Sequence, residues 1–143
     1  MDFKGRERLS WEETALRLAF DIANYRSEDP YVIVGSCIVK YDNQILLGYN
    51  GPPSGIEIDW SNRDERRKRV LHSEANVLSQ IKPGECKLMA ITAFPCLECM
   101  KLIAQKKVKR FVYRDELIGY DNEFSKKLAG EFGIEFERLM INL

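Results

Sequence analysis

Hydrophobic positions change period repeatedly along this chain, switching between helical and strand spacing with turn-forming residues at each switch. Ser10 and Glu13 form a capping box, and apolar Trp11, Ala15, Leu18 and Ile22 follow at helical intervals. That helix is expected to stop before Asp29-Pro30. Val32 to Tyr41 is β-branched and apolar, Asp42-Asn43 signals a turn, and Gln44 to Tyr49 follows, which together read as an antiparallel hairpin. The prolines and glycines of Gly51-Pro52-Pro53-Ser54-Gly55 cannot continue a strand and make a loop. A second helix is predicted from about Leu71 to Ile81, ended by Pro83-Gly84, and a buried strand from Leu88 to Phe94. Cys96 to Lys106 reads as a helix entered through Pro95, whose missing N–H is not needed at a helix start. Val108 to Tyr113 is the next strand, Asn122 to Phe132 the next helix, and Ile134 to Met140 a last strand after Gly133. The order is α, β-hairpin, α, β, α, β, α, β. Right-handed crossovers then give an α/β fold, a mixed sheet of five strands with helices on both faces. With no repeat, low-complexity tract or linker, residues 1–143 are expected to form a single domain.

Composition narrows the partners. Basic and acidic residues balance at 22 each, so a polynucleotide partner, which favours a basic excess, is not expected. The one basic run, Arg63-Asp64-Glu65-Arg66-Arg67-Lys68-Arg69, is interrupted by acids. It reads either as a solvated loop or helix face, or as a contact for nucleotide phosphates or a neighbouring subunit. Met1 to Arg6 is too polar for a targeting segment and no long apolar stretch follows, so no membrane association is expected. Four cysteines without such a segment point to a reducing, cytoplasmic setting. Cys37 lies in an apolar run and reads as core, whereas Cys86, after Lys82-Pro83-Gly84, reads as a stray thiol.

The chemistry lies in two short segments. His72, the single histidine, stands two residues before Glu74, and Pro95-Cys96-Leu97-Glu98-Cys99 follows, with Cys96 24 positions after His72. Cysteines at i and i+3 put both sulfurs on one face of a helix's first turn. One imidazole and two thiolates supply three zinc ligands, and the open fourth tetrahedral position suits water, the arrangement of a catalytic zinc. Zinc lowers the pKa of such a water towards ~7, and Glu74 is placed to carry protons beside it. Helix N-termini would stabilise the thiolates further. A structural zinc is the competing reading; it needs a fourth ligand from Cys37, Cys86 or a carboxylate. The paired His-x-Glu and Pro-Cys-x-x-Cys pattern is the signature of zinc nucleobase deaminases, in which hydroxide adds to the ring carbon bearing an amino group and ammonia leaves. The His-Glu-x-x-His pattern of zinc proteases is absent.

From about Leu9 to Phe136 the chain resembles the deoxycytidylate (dCMP) deaminases. Leu9-Ser10-Trp11-Glu12-Glu13 is similar to the opening helix of that family, and Arg26 to Pro30 with Val34 to Val39 is similar to its first strand and approach. Gly48-Tyr49-Asn50-Gly51-Pro52 with Gly55 resembles the loop after its second strand, and Phe94 to Ile103 closely resembles its second metal motif. The resemblance implies a cytidine-deaminase-like three-layer α/β/α sandwich with strand order 2-1-3-4-5. It assigns His72, Cys96 and Cys99 to one zinc ion per subunit and Glu74 to proton shuttling. Asn50 would hydrogen-bond the deoxyribose, or else stabilise its own turn. Tyr120 would lie against the pyrimidine, or else in a surface turn. Arg26 and Ser27 are candidates for the substrate phosphate, because an arginine fork suits phosphate geometry.

The resemblance also implies regulation. Activation by dCTP, inhibition by dTTP and a homo-oligomer, a hexamer, are family traits. The glycines of the 48–55 loop, Gly48 and Gly51 among them, with Arg66 and Lys68 nearby, are the candidate effector contacts. Tyr31 and Ile33 stand where the family usually has Asn and Gln. Two rivals remain. A tRNA adenosine deaminase shares the zinc logic but has only a few residues between loop and histidine, where here sixteen intervene, Ile56 to Leu71. A zinc-stabilised interaction module would have no use for Glu74.

Overall fold

The computed structural model describes residues 5–119 and 121–143. Its elements are α1 (Trp11–Arg26), β1 (Gly35–Lys40), β2 (Ile45–Tyr49), α2 (Arg63–Arg69), α3 (Ser73–Leu78), β3 (Cys86–Ala93), α4 (Leu97–Gln105), β4 (Arg110–Asp115), α5 (Asn122–Glu131) and β5 (Glu135–Arg138). The five strands form one mixed sheet in the order β2-β1-β3-β4-β5. β1 pairs antiparallel with both β2 and β3, while β3, β4 and β5 run parallel. The expected strand order and three-layer sandwich are therefore those of the structure.

Alternation along the strands divides the core in two. Ala15, Leu16, Ala19 and Phe20 of α1 pack on Cys37, Val39, Leu88, Ala90 and Val112, one face of the sheet. Neighbouring positions Ile38, Met89, Ile91 and Phe111 point the other way, against Val77 of α3, Met100 and Ile103 of α4 and Ala129 of α5. Side chains that alternate at period two while helices cover both faces leave the central strands β1 and β3 buried almost throughout, whereas the edge strand β5 is exposed along its length. Cys86 is a correction to the sequence reading: it is buried in the second cluster with Ile81 and Val108. Among the described residues no helix is long and apolar enough to cross a membrane.

Element ends differ from the expected ones for identifiable reasons. The first strand begins at Gly35, because residues 31–34 are held by side chains instead of a ladder. Asp29 Oδ1 accepts from the backbone N–H groups of Tyr31 (2.8 Å) and Val32 (3.1 Å), and Asn50 Oδ1 accepts from that of Val34 (2.9 Å). α3 starts at Ser73 because Leu71 is already paired with Gly51 in a two-bond bridge. The helix α2 is an addition to the expected order. It buries none of its residues and opens with an N-cap in which Asn62 Oδ1 accepts from Glu65 N–H. Gly48 lets α3 settle on β2: a Cβ there would stand 2.7 Å from the Ser73 carbonyl oxygen and 2.9 Å from Val77.

Candidate active site

Two helix starts meet at the C-terminal ends of the parallel strands. β3 ends at Ala93, Phe94 and Pro95 turn the chain, and Cys96 becomes the N-cap of α4, with Cys99 in its first turn. His72 is the N-cap of α3. The turn before α4 is tied down by buried Ser125 of α5, whose hydroxyl donates to the Pro95 carbonyl at 2.8 Å. His72 Nδ1 thereby lies 3.3 Å from Cys99 Sγ and 3.5 Å from Cys96 Sγ, and the three ligand atoms all fall within 4.8 Å of one another. A tetrahedral ion with Zn–N of ~2.05 Å and Zn–S of ~2.3 Å needs N and S ~3.5 Å apart, so the donor set fits zinc. Among the described residues no fourth His, Cys, Asp or Glu joins this group. Cys37 belongs to the opposite face of the sheet. A closed structural site therefore lacks the ligand it needs.

Electrostatics follows the geometry. The hydrogen bond from the Cys99 thiol, with a further contribution from His72, lowers the Cys96 pKa to about 4. Cys99 is correspondingly raised, first by that bond to Cys96, then by burial and by the Glu74 carboxylate. His72 is raised by its hydrogen bond to Cys96. Burial raises Glu74, against the Ser73 hydroxyl that donates to its Oε1 at 2.7 Å. Ser73 Oγ in turn lies 2.6 Å from Ser36 Oγ of β1, so a buried hydroxyl pair fixes the carboxylate from the sheet side.

Glu74, His72 and Cys96 line a cavity of about 740 Å³, within the ~300–1,000 Å³ of small-molecule sites. Asp29, Val34 and Asn50 form its hairpin side, and Leu117 to Gly119, after β4, its rim. The remaining wall is α2, which contributes Arg63, Arg66 and Arg67. Parallel strand ends of this kind are where α/β sheets bind ligands.

The expected site residues divide accordingly. His72, Glu74, Cys96 and Cys99 are together. Asn50 lines the cavity and also braces its own loop. Its Oδ1 accepts from Ser27 Oγ (2.8 Å) and Val34 N–H, and its Nδ2 donates to the Val32 carbonyl (2.6 Å). Arg26 and Ser27 do not line the cavity. Arg26 ends α1 on the exposed surface, and Ser27 spends its hydroxyl on Asn50. Gly48 and Gly51 are engaged within the fold. Gly48 is a buried strand residue under α3, and the Gly51 N–H donates to the Leu71 carbonyl at 3.1 Å, so neither belongs to an open phosphate cradle. Arg66 faces the cavity, whereas Lys68 does not line it. Tyr120 lies outside the described residues. Sequence reasoning missed Ser36, Ser73, Asp29 and Ser125. Once α2 is known to be a helix, the spacing of Arg63, Arg66 and Arg67, at i, i+3 and i+4, places them on a shared face.

Comparison with known proteins gives the family. Residues 9–115 match the family described as the cytidine and deoxycytidylate deaminase zinc-binding region. The deoxycytidylate deaminases of Mus musculus and Homo sapiens are each 34% identical over 124 residues, which cover 79% of this chain and 69% of theirs. The crystal structure of a dCMP deaminase from the cyanophage S-TIM5, in complex with dCMP and dUMP, superposes with a TM-score of 0.73 at 28% identity, covering 92% of this chain and all of that one. The chain belongs to the cytidine and deoxycytidylate deaminase family, whose zinc-binding region it matches over residues 9–115.

Proposed function

We propose that this protein hydrolyses dCMP to dUMP and ammonia. The observation that carries the reading is the buried Glu74 carboxylate opening, beside a three-donor His72, Cys96 and Cys99 set, into one ligand-sized cavity. The similarity to deoxycytidylate deaminases supports the choice of base and sugar. His72 through Nδ1, Cys96 and Cys99 would hold one zinc ion per chain. When bound, zinc supplies Lewis acidity that makes water nucleophilic near neutral pH. Glu74 would accept a proton from the water attacking the amino-bearing ring carbon, deliver it to the ring nitrogen, and then carry the remaining hydroxyl proton to the amino group, which leaves as ammonia as the C–N bond breaks. Burial raises the Glu74 pKa, which suits a group that both takes and returns a proton. Ser36 and Ser73 keep its carboxylate in place. Asn50 has one Nδ2 hydrogen without a partner among the described residues, and this is the proposed donor to the deoxyribose.

A reducing compartment such as the cytoplasm suits thiols that must stay free, and dUMP is the product that thymidylate synthesis consumes. Activation by dCTP, inhibition by dTTP and hexamer formation rest on family resemblance.

The test is ammonia release from dCMP, dCTP, cytidine, deoxyadenosine and a tRNA anticodon stem-loop, compared side by side on zinc-loaded protein. dCMP is expected to give the highest kcat/KM. Rapid turnover of the stem-loop with none of dCMP would replace this reading by adenosine deamination.

A further inference from the structure

We propose that Arg63, Arg66 and Arg67 form the subsite for the 5′-phosphate of the substrate, and that Tyr31 is a positioning residue that orients Arg66 within it. The proposal rests on the dCMP reading and says which residues make the nucleotide, as opposed to the nucleoside, the substrate.

The helix α2 has no packing reason to exist, since none of its seven residues is buried. Its spacing gives it a face. Positions i, i+3 and i+4 turn Arg63, Arg66 and Arg67 towards the same cavity as His72 and Glu74. The acids of the helix do not neutralise them: Glu65 is engaged by Arg69 at 2.6 Å, and the three cavity-lining arginines have no ion-pair partner among the described residues. Three like charges on one helical face repel one another unless an anion meets them. A phosphate monoester carries about −1.5 to −2 charges at pH 7 and offers the oxygens that a guanidinium fork matches.

Arg66 is the most organised of the three. Its Nη1 donates to the Trp60 carbonyl at 2.7 Å, and its guanidinium lies 4.1 Å from the centre of the Tyr31 ring. Stacking on one face and a bond at one edge leave Nε and Nη2 to grip an anion. The backbone at Tyr31 is itself fixed by Asp29 Oδ1. The strut therefore runs from the cavity wall through an aromatic ring to a cation.

Steady-state kinetics on dCMP and deoxycytidine would test this, with dUMP and deoxyuridine binding by calorimetry as a readout independent of turnover. Arg66→Ala, and the Arg63→Ala/Arg67→Ala pair, should raise KM for dCMP by about 10–100-fold with kcat moved much less. The preference for dCMP over deoxycytidine and the dUMP affinity should fall in step. Arg66→Lys should recover only part, because the fork is lost. Tyr31→Ala should shift KM by about 2–5-fold in the same direction, and Tyr31→Phe should restore it. Arg26→Ala should keep the wild-type preference. Unchanged preference in the arginine variants, or equal losses towards dCMP and deoxycytidine, would overturn the subsite while leaving the deaminase intact. Failure of the wild-type protein to turn over dCMP would overturn the functional reading and the subsite with it.

Discussion

The two walls of the cavity are built in opposite ways. On one side, α3 and α4 are anchored to the sheet: Val77, Leu78, Met100 and Ile103 are buried, Gly48 lets α3 close on β2, and Ser125 pins the turn before Cys96. On the other, α2 buries nothing and is held by its Asn62 cap, the Arg69–Glu65 pair and the Gly51–Leu71 bridge that follows it. The difference matches what each wall is asked to do. Metal ligation and proton transfer depend on positions fixed to within a fraction of an ångström, so the groups that perform them sit on packed elements. Attraction of a phosphate tolerates looser geometry and works from a solvated helix. Changes on the anchored wall should therefore lower kcat or remove metal, and changes on α2 should raise KM.

The largest effect is expected from the ligands. Cys99→Ala and His72→Ala should each lose bound zinc and activity together, down to background, as read by metal analysis and ammonia release. A variant that kept activity without one ligand would break the anchored half of the comparison. Next is Gly48→Ala. Its new Cβ meets backbone at 2.7 Å, which cannot swing away as a side-chain end could, so destabilisation of about 1–3 kcal/mol in denaturant unfolding is expected. Ser73→Ala removes the hydroxyl that steadies Glu74 and should lower kcat by roughly 10-fold, with KM for dCMP little changed. Smallest is Lys68→Ala on α2, which lines no cavity. Unfolding free energy within about 0.5 kcal/mol of wild type and unchanged dCMP kinetics are expected. A large loss there would mean that α2 is structural after all.

How much of this was readable without coordinates depended on whether a residue's role was local or tertiary. The strands and the main helices showed themselves through period, and the zinc set through two short segments whose spacing carries its own chemistry. α2 could not be seen that way, because Arg63 to Arg69 holds no apolar residue to mark a face. Nearness of Arg26 to Asp29 in sequence likewise does not bring the end of α1 into the cavity. Ser36 gave no sign either. Lone serines in strands are common, and only the pairing of β1 beneath α3 places its hydroxyl 2.6 Å from Ser73. Cys86 was misread because the turn before it, Pro83-Gly84, suggested a surface, whereas β3 begins at that residue and turns the thiol inward.

The central claim is that Glu74 moves protons at a zinc it does not hold. Zinc content and dUMP formation from dCMP, measured on the same preparations of wild-type and Glu74→Gln protein, test it most directly. Both proteins should carry about one zinc per chain, and the variant should be slower by about 10²–10⁴-fold. A variant that arrives without zinc, or one that turns over dCMP at the wild-type rate, would contradict the account.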